Sequence, residues 1–102
     1  MKICAENSVL NISEIKELGA ANSENFRKEA RAALPDPVKA IEVDLSQTSF
    51  LDSCGLGALI SLYKLANNNS HPVPFRLLNP TPPIQQLLEL TRLHRLFEIV
   101  RR

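Results

Sequence analysis

The sequence predicts an α/β domain in which a mostly parallel sheet of four to five strands packs on about three to four helices. Short apolar runs with two-residue alternation, such as Ala40-Ile41-Glu42-Val43-Asp44-Leu45, take turns with longer segments whose apolar residues recur every three or four positions. Proline and asparagine clusters at Pro35-Asp36-Pro37, 67–74 and Asn79–Pro83 separate these segments as loops. Parallel neighbours need a crossover the length of a helix, so the alternation itself argues for parallel pairing. The chain has 102 residues and is 44% hydrophobic, enough for one core, so residues 1–102 are expected to form a single domain.

In chain order, Val9, Leu10, Ile12 and Ile15 suggest one or two short strands, read as a hairpin. Asn22 or Ser23 can cap a helix from about Ser23 to Leu34, whose Phe26, Ala30, Ala33 and Leu34 face inward while Arg27, Lys28 and Arg31 point away. The strand at Ala40–Leu45 places Ile41, Val43 and Leu45 on one face, and Phe50-Leu51 forms the apolar approach to the next element. A second helix from about Gly55 carries Leu56, Leu59, Ile60, Leu62, Tyr63 and Leu65, and ends in Asn67-Asn68-Asn69, where asparagine suits a left-handed exit. Val73–Leu78 reads as a strand with Pro74 near its start. Thr81 is placed to cap a third helix with prolines in its first turn and with Ile84, Leu87, Leu88 and Leu90 inward, and Leu96–Val100 supplies a last strand.

Several function classes are disfavoured. A formal net charge of +1 offers no field to hold a polyanion, and the one basic cluster, Arg92, Arg95, Arg101 and Arg102, is interrupted by Glu98, so no nucleic-acid partner is expected. No run approaches a membrane span and Met1–Glu6 lacks a secretory apolar stretch, which gives the expectation of a cytoplasmic protein without direct membrane insertion. Cys4 and Cys54 are far apart in unlike contexts and read as free thiols, and His71 and His94 lack companions at metal spacing. No metal, cofactor or catalytic group is assigned: paired carboxylates, an activated nucleophile and a metal cluster are all missing from the pattern.

The informative segment is Leu51-Asp52-Ser53-Cys54-Gly55-Leu56-Gly57, where an apolar strand runs straight into a helix. Partners of α/β sheets meet such strand-to-helix turns, and a helix N-terminus offers unpaired amides and partial positive charge. Ser53 stands where its hydroxyl can cap those amides or carry a phosphate, which would add about −1.5 to −2 charge beside Asp52 without unfolding the helix. Simple capping by Asp or Ser is the competing reading, with Gly55 and Gly57 serving a tight turn. The segment has neither the spacing of a phosphate-binding loop nor the Gly-x-Ser-x-Gly frame of a hydrolase elbow.

Val43-Asp44-Leu45-Ser46 followed by Ser49-Phe50-Leu51-Asp52-Ser53-Cys54-Gly55-Leu56-Gly57-Ala58-Leu59 resembles the core signature of STAS domains, the family of the anti-sigma factor antagonists. The likeness continues through Phe75–Pro80 and Ile84–Phe97. It implies a STAS-like fold with the Asp-Ser turn at its rim. In the antagonist branch it implies partner switching: the unphosphorylated domain binds an anti-sigma factor with serine kinase activity, phosphorylation releases it, and a protein phosphatase restores it. Ser53 would then be the phosphoacceptor, and Asp52, Ser53, Cys54, Gly55, Leu56, Gly57 and Glu17 the partner-binding residues. ATP and magnesium would belong to the kinase, so the chain itself needs no cofactor. Lys16-Glu17-Leu18-Gly19 stands where such families carry Gly-x-Leu-Asp, leaving Glu17 to supply the charge lost at Gly19.

The alternative implied by the same resemblance is an accessory subunit of a membrane transporter complex that binds its ATPase subunit whatever the charge at Ser53. A small-molecule sensor with a pocket between the sheet and the Leu56–Leu65 helix has few polar groups to orient a ligand. The apolar stripes are committed to the core, so a monomer in isolation is expected.

Overall fold

The computed structural model describes residues 1–68 and 71–102. Its elements are β1 (Lys2–Glu6), β2 (Val9–Ser13), β3 (Glu17–Leu18), α1 (Ser23–Ala32), β4 (Ala40–Asp44), β5 (Phe50–Leu51), α2 (Ser53–Asn67), β6 (Phe75–Leu78), α3 (Pro82–Leu90), a 3₁₀ turn at Leu93–Arg95, and β7 (Glu98–Val100). The main sheet has five strands in the order β1-β2-β4-β6-β7; β1 is antiparallel to β2 and every other pairing is parallel. This is the α/β architecture expected from the alternation.

β1 and β2 form a hairpin closed by Asn7 and Ser8, both at positive φ (54° and 65°), the geometry whose twist matches a two-residue turn. The apolar alternates of the parallel strands, Leu10, Ile12, Ile41, Val43 and Leu77, are fully or almost fully buried and share one core with Phe26 and Ala30 of α1, Ala58, Leu59 and Leu62 of α2, and Ile84 and Leu88 of α3. The space between the sheet and α2 is thus filled by side chains.

The opposite sheet face carries a polar row that follows the strand register from Cys4 to Asn11, Glu42, Arg76 and Glu98. Glu42, on the central strand, is buried there as an ion-pair hub: Arg76 Nη1 lies 3.1 Å and Arg102 Nη2 3.0 Å from its Oε2, while Arg76 Nε reaches Glu98 at 3.3 Å. Arg102, one of the basic residues clustered in the C-terminal sequence, is thus engaged by Glu42.

Other expectations are corrected. α1 stops at Ala32, two residues short of Leu34, because the approach to Pro35 disfavours helical backbone. α2 starts at Ser53, two residues before Gly55, and Asn68 leaves it at φ −89°, outside the left-handed region; Asn69 lies outside the described residues. The inward line of α3 is Ile84 and Leu88; Leu90, six positions on from Ile84, falls well off that stripe and is 75% exposed. Leu96 is likewise exposed, and β7 begins only at Glu98 after the 3₁₀ turn. Thr81 occupies the N-cap position of α3 but makes no cap bond; its hydroxyl donates to the Thr48 carbonyl at 3.1 Å and ties α3 to the loop after β4.

Candidate functional site at the Asp52-Ser53 turn

β5 does not join the main sheet. It pairs in parallel with β3, Glu17 opposite Phe50 and Leu18 opposite Leu51, so the 16–19 segment and the turn after β5 stand side by side. Neighbouring residues of a strand point to opposite sides, and only one side here meets the core. Leu51 is buried and Phe50 is 51% exposed, which corrects the reading of Phe50 as part of a buried approach. An exposed aromatic ring beside Glu17 is a surface feature that the apolar pair Phe50-Leu51 disguised.

Asp52 is the N-cap of α2. Its Oδ1 accepts the Gly55 amide at 2.9 Å, and its Oδ2 accepts the Ala20 amide at 3.0 Å, so one carboxylate closes the first turn of α2 and fixes the turn that precedes α1. The Gly55 and Ala20 amides hold its carboxyl below the usual 3.8, against a smaller opposing effect of desolvation. The group is ionised at neutral pH.

Asn22, expected to cap α1, makes no cap bond to that helix. Its side chain turns back instead: Oδ1 accepts the Gly19 amide at 2.9 Å and Nδ2 donates to the Glu17 carbonyl at 2.9 Å. Asn22 and Asp52 together therefore fix residues 17–20 against α2. The bond from Asp52 to Ala20 spans 32 residues and was not visible in the sequence, whereas the Asn22 bonds are local and were hidden by the expectation that Asn22 caps α1.

Ser53 is the first residue of α2 and is exposed; its hydroxyl has no hydrogen-bond partner among the described residues. The capping role open to Ser or Asp is taken by Asp52, which leaves the Ser53 hydroxyl available. Cys54 is also exposed and is a free thiol, as is Cys4.

Gly55, assigned to the binding surface, is buried, and a Cβ there would run into the Leu18 carbonyl oxygen. The close approach it permits is that of α2 to its own chain. Gly57 is different: nothing lies within 4 Å of a Cβ built on it. Leu56 is half-buried and packs against the core. Asp52, Ser53, Cys54, Gly57 and Glu17 are thus gathered at one rim with Phe50, while Gly55 and largely Leu56 support it from beneath.

Among the described residues no group of three or more His, Cys, Asp and Glu side chains could hold a metal ion, and no helix is long and apolar enough to cross a membrane.

A family model described as the STAS domain matches residues 5–102. A Thermotoga maritima protein proposed as an anti-sigma factor antagonist superposes with a TM-score of 0.84 at 24% identity, over 99% of this chain and 85% of its own. The anti-sigma factor antagonist SpoIIAA in its unphosphorylated form gives 0.82 at 19% identity, over 99% and 86%. An anti-sigma factor antagonist from Mycobacterium paratuberculosis gives 0.76 at 21% identity, over 96% and 81%. At these identities the likeness is one of fold.

Proposed function

The chain belongs to the STAS domain family, and from that premise we propose that it is an anti-sigma factor antagonist: unphosphorylated, it binds an anti-sigma factor with serine kinase activity, and phosphorylation of Ser53 releases it. The observation that carries this reading is the exposed Ser53 hydroxyl at the first position of α2, free of the cap that Asp52 provides. The partner would supply ATP and magnesium. The Ser53 oxygen would take the γ-phosphoryl group, lose its proton and leave ADP with the kinase. This chain contributes the acceptor and a rigid rim, and no catalytic group of its own.

A phosphate on Ser53 adds about −1.5 to −2 charge next to the ionised Asp52. Neither of Asp52's capping bonds uses the Ser53 hydroxyl, so the modification changes the charge of the surface while the fold stays in place. Glu17, Phe50, Cys54 and Gly57 border the acceptor and form the surface the partner would read. A protein phosphatase would return the chain to its binding form.

Binding of the purified ATPase partner to Ser53→Ala and Ser53→Asp tests the reading. Retained binding by Ser53→Ala and a loss of tenfold or more by Ser53→Asp are expected. Equal binding by both would overturn the switch, and stable association with a transporter ATPase regardless of the residue at 53 would assign the accessory-subunit role instead.

A further inference from the structure

The exposed side of α1 carries a cationic stripe. Glu24, Arg27, Lys28 and Arg31 recur at three- and four-residue spacing and, with Ser61 of α2, line a groove of about 230 Å³. Lys28 pairs with Glu24 at 3.8 Å, whereas the guanidinium groups of Arg27 and Arg31 form no ion pair or hydrogen bond among the described residues. The α2 wall of the groove is low: Ser61 turns its hydroxyl back to the Gly57 carbonyl at 3.0 Å, and the space over Gly57 is open.

The two helices begin at the same end of the molecule, since Ala20, three residues ahead of α1, is bonded to Asp52, the cap of α2. Ser53, Gly57 and Ser61 follow one another on successive turns of α2. Ser61, the α2 residue of the groove, therefore lies two turns beyond Ser53 on the same side of α2, with Gly57 between them.

We propose that this groove is the second part of the docking surface and receives an acidic helix or loop of a protein partner, whose carboxylates pair with Arg27 and Arg31 while its backbone approaches Gly57. The inference deepens the antagonist reading and rests on it only for the identity of the partner. Two unpaired arginines suit two carboxylates arranged on a protein segment; a nucleic-acid site would call for roughly six to ten phosphate contacts. A phosphate on Ser53, two turns of α2 before Ser61, would repel an acidic segment that runs from the groove toward the rim.

The test is an ¹⁵N NMR titration of the full chain with a synthetic Glu-Ala repeat peptide at low salt, beside the R27E/R31E double variant and an oligothymidylate of equal charge. Peptide shifts confined to residues 24–31, Gly57 and Ser61, at least tenfold weaker in R27E/R31E and weaker for the oligonucleotide, are expected. Both arginines are exposed, and an unchanged reference spectrum confirms that the variant is folded. No response, shifts spread over Lys2, Lys16 and Arg101, an unaltered response in R27E/R31E, or equal binding of the oligonucleotide would each overturn the proposal. The titration involves no kinase, so a failed phosphorylation experiment and a failed groove give separate results.

Discussion

Gly19 lies directly beneath the Asp52 carboxylate: a Cβ on residue 19 would stand 2.7 Å from Asp52 Oδ2 and 2.9 Å from the edge of the Phe50 ring. The glycine at this position thus has a reason within this chain. It leaves the room through which Asp52 reaches the Ala20 amide.

Asp52 links two turns, and its two oxygens are each in use. Asn at this position keeps one acceptor oxygen, so Asp52→Asn retains one of the bonds to Gly55 and Ala20, and Asp52→Ala retains neither. Stability is expected to fall in the order wild type, Asn, Ala. The folded carboxyl titrates below its usual 3.8, so its stabilising contribution is full above that value and is lost as pH falls through the folded pKa. Urea midpoints measured from pH 7 down to pH 2 should show the wild-type advantage over Asp52→Asn constant at neutral pH and shrinking below about pH 4.

The two glycines of α2 should respond oppositely to one added methyl. Gly55→Ala drives a Cβ into the Leu18 carbonyl and is expected to cost about 2 kcal/mol or more, by overpacking that only backbone movement relieves. Gly57→Ala meets open space on a helix and should stabilise by about 0.5–1 kcal/mol through reduced unfolded-state entropy. Chemical denaturation of the pair checks both signs.

Glu42 holds two arginines on the sheet face away from the helices. Glu42→Ala leaves Arg76 and Arg102 without it, and because those side chains are 29% and 55% exposed the cost is expected near 1–2 kcal/mol, below that of a fully buried pair. Glu42→Gln, which keeps an acceptor oxygen, should fall between. Urea unfolding with an unchanged m-value is the check.

Phe50 is exposed beside Glu17 and the Ser53 turn, so its removal tests the surface apart from the fold. Phe50→Ser is expected to leave the unfolding midpoint within about 0.5 kcal/mol of wild type. Binding of the proposed ATPase partner should weaken tenfold or more, as for a buried aromatic anchor. Calorimetry on the same preparation measures both.

The order of strands and helices was legible because each parallel strand and each helix buries a periodic apolar face, and proline and asparagine mark the gaps between them. The Asp52-Ser53 turn was legible for the same reason, as a strand feeding directly into an amphipathic helix. What escaped the sequence depends on contacts between distant segments. Phe50 and Leu51 look alike until the β3–β5 pairing fixes which one faces inward. Gly55 and Gly57 look alike until Leu18 is placed beneath one of them. Glu42 reads as a solvent-facing alternate, and only the register across β4 and β6 and the return of Arg102 explain its burial.

The most direct test of the switch is isolation of the chain from its native cells followed by intact mass and phosphosite mapping of the partner-bound and free pools. An ATPase-fold anti-sigma factor is expected with the bound pool, and phosphate on Ser53 in the free pool alone. Phosphorylated Ser53 in the bound pool, or unmodified Ser53 throughout both pools, would contradict it.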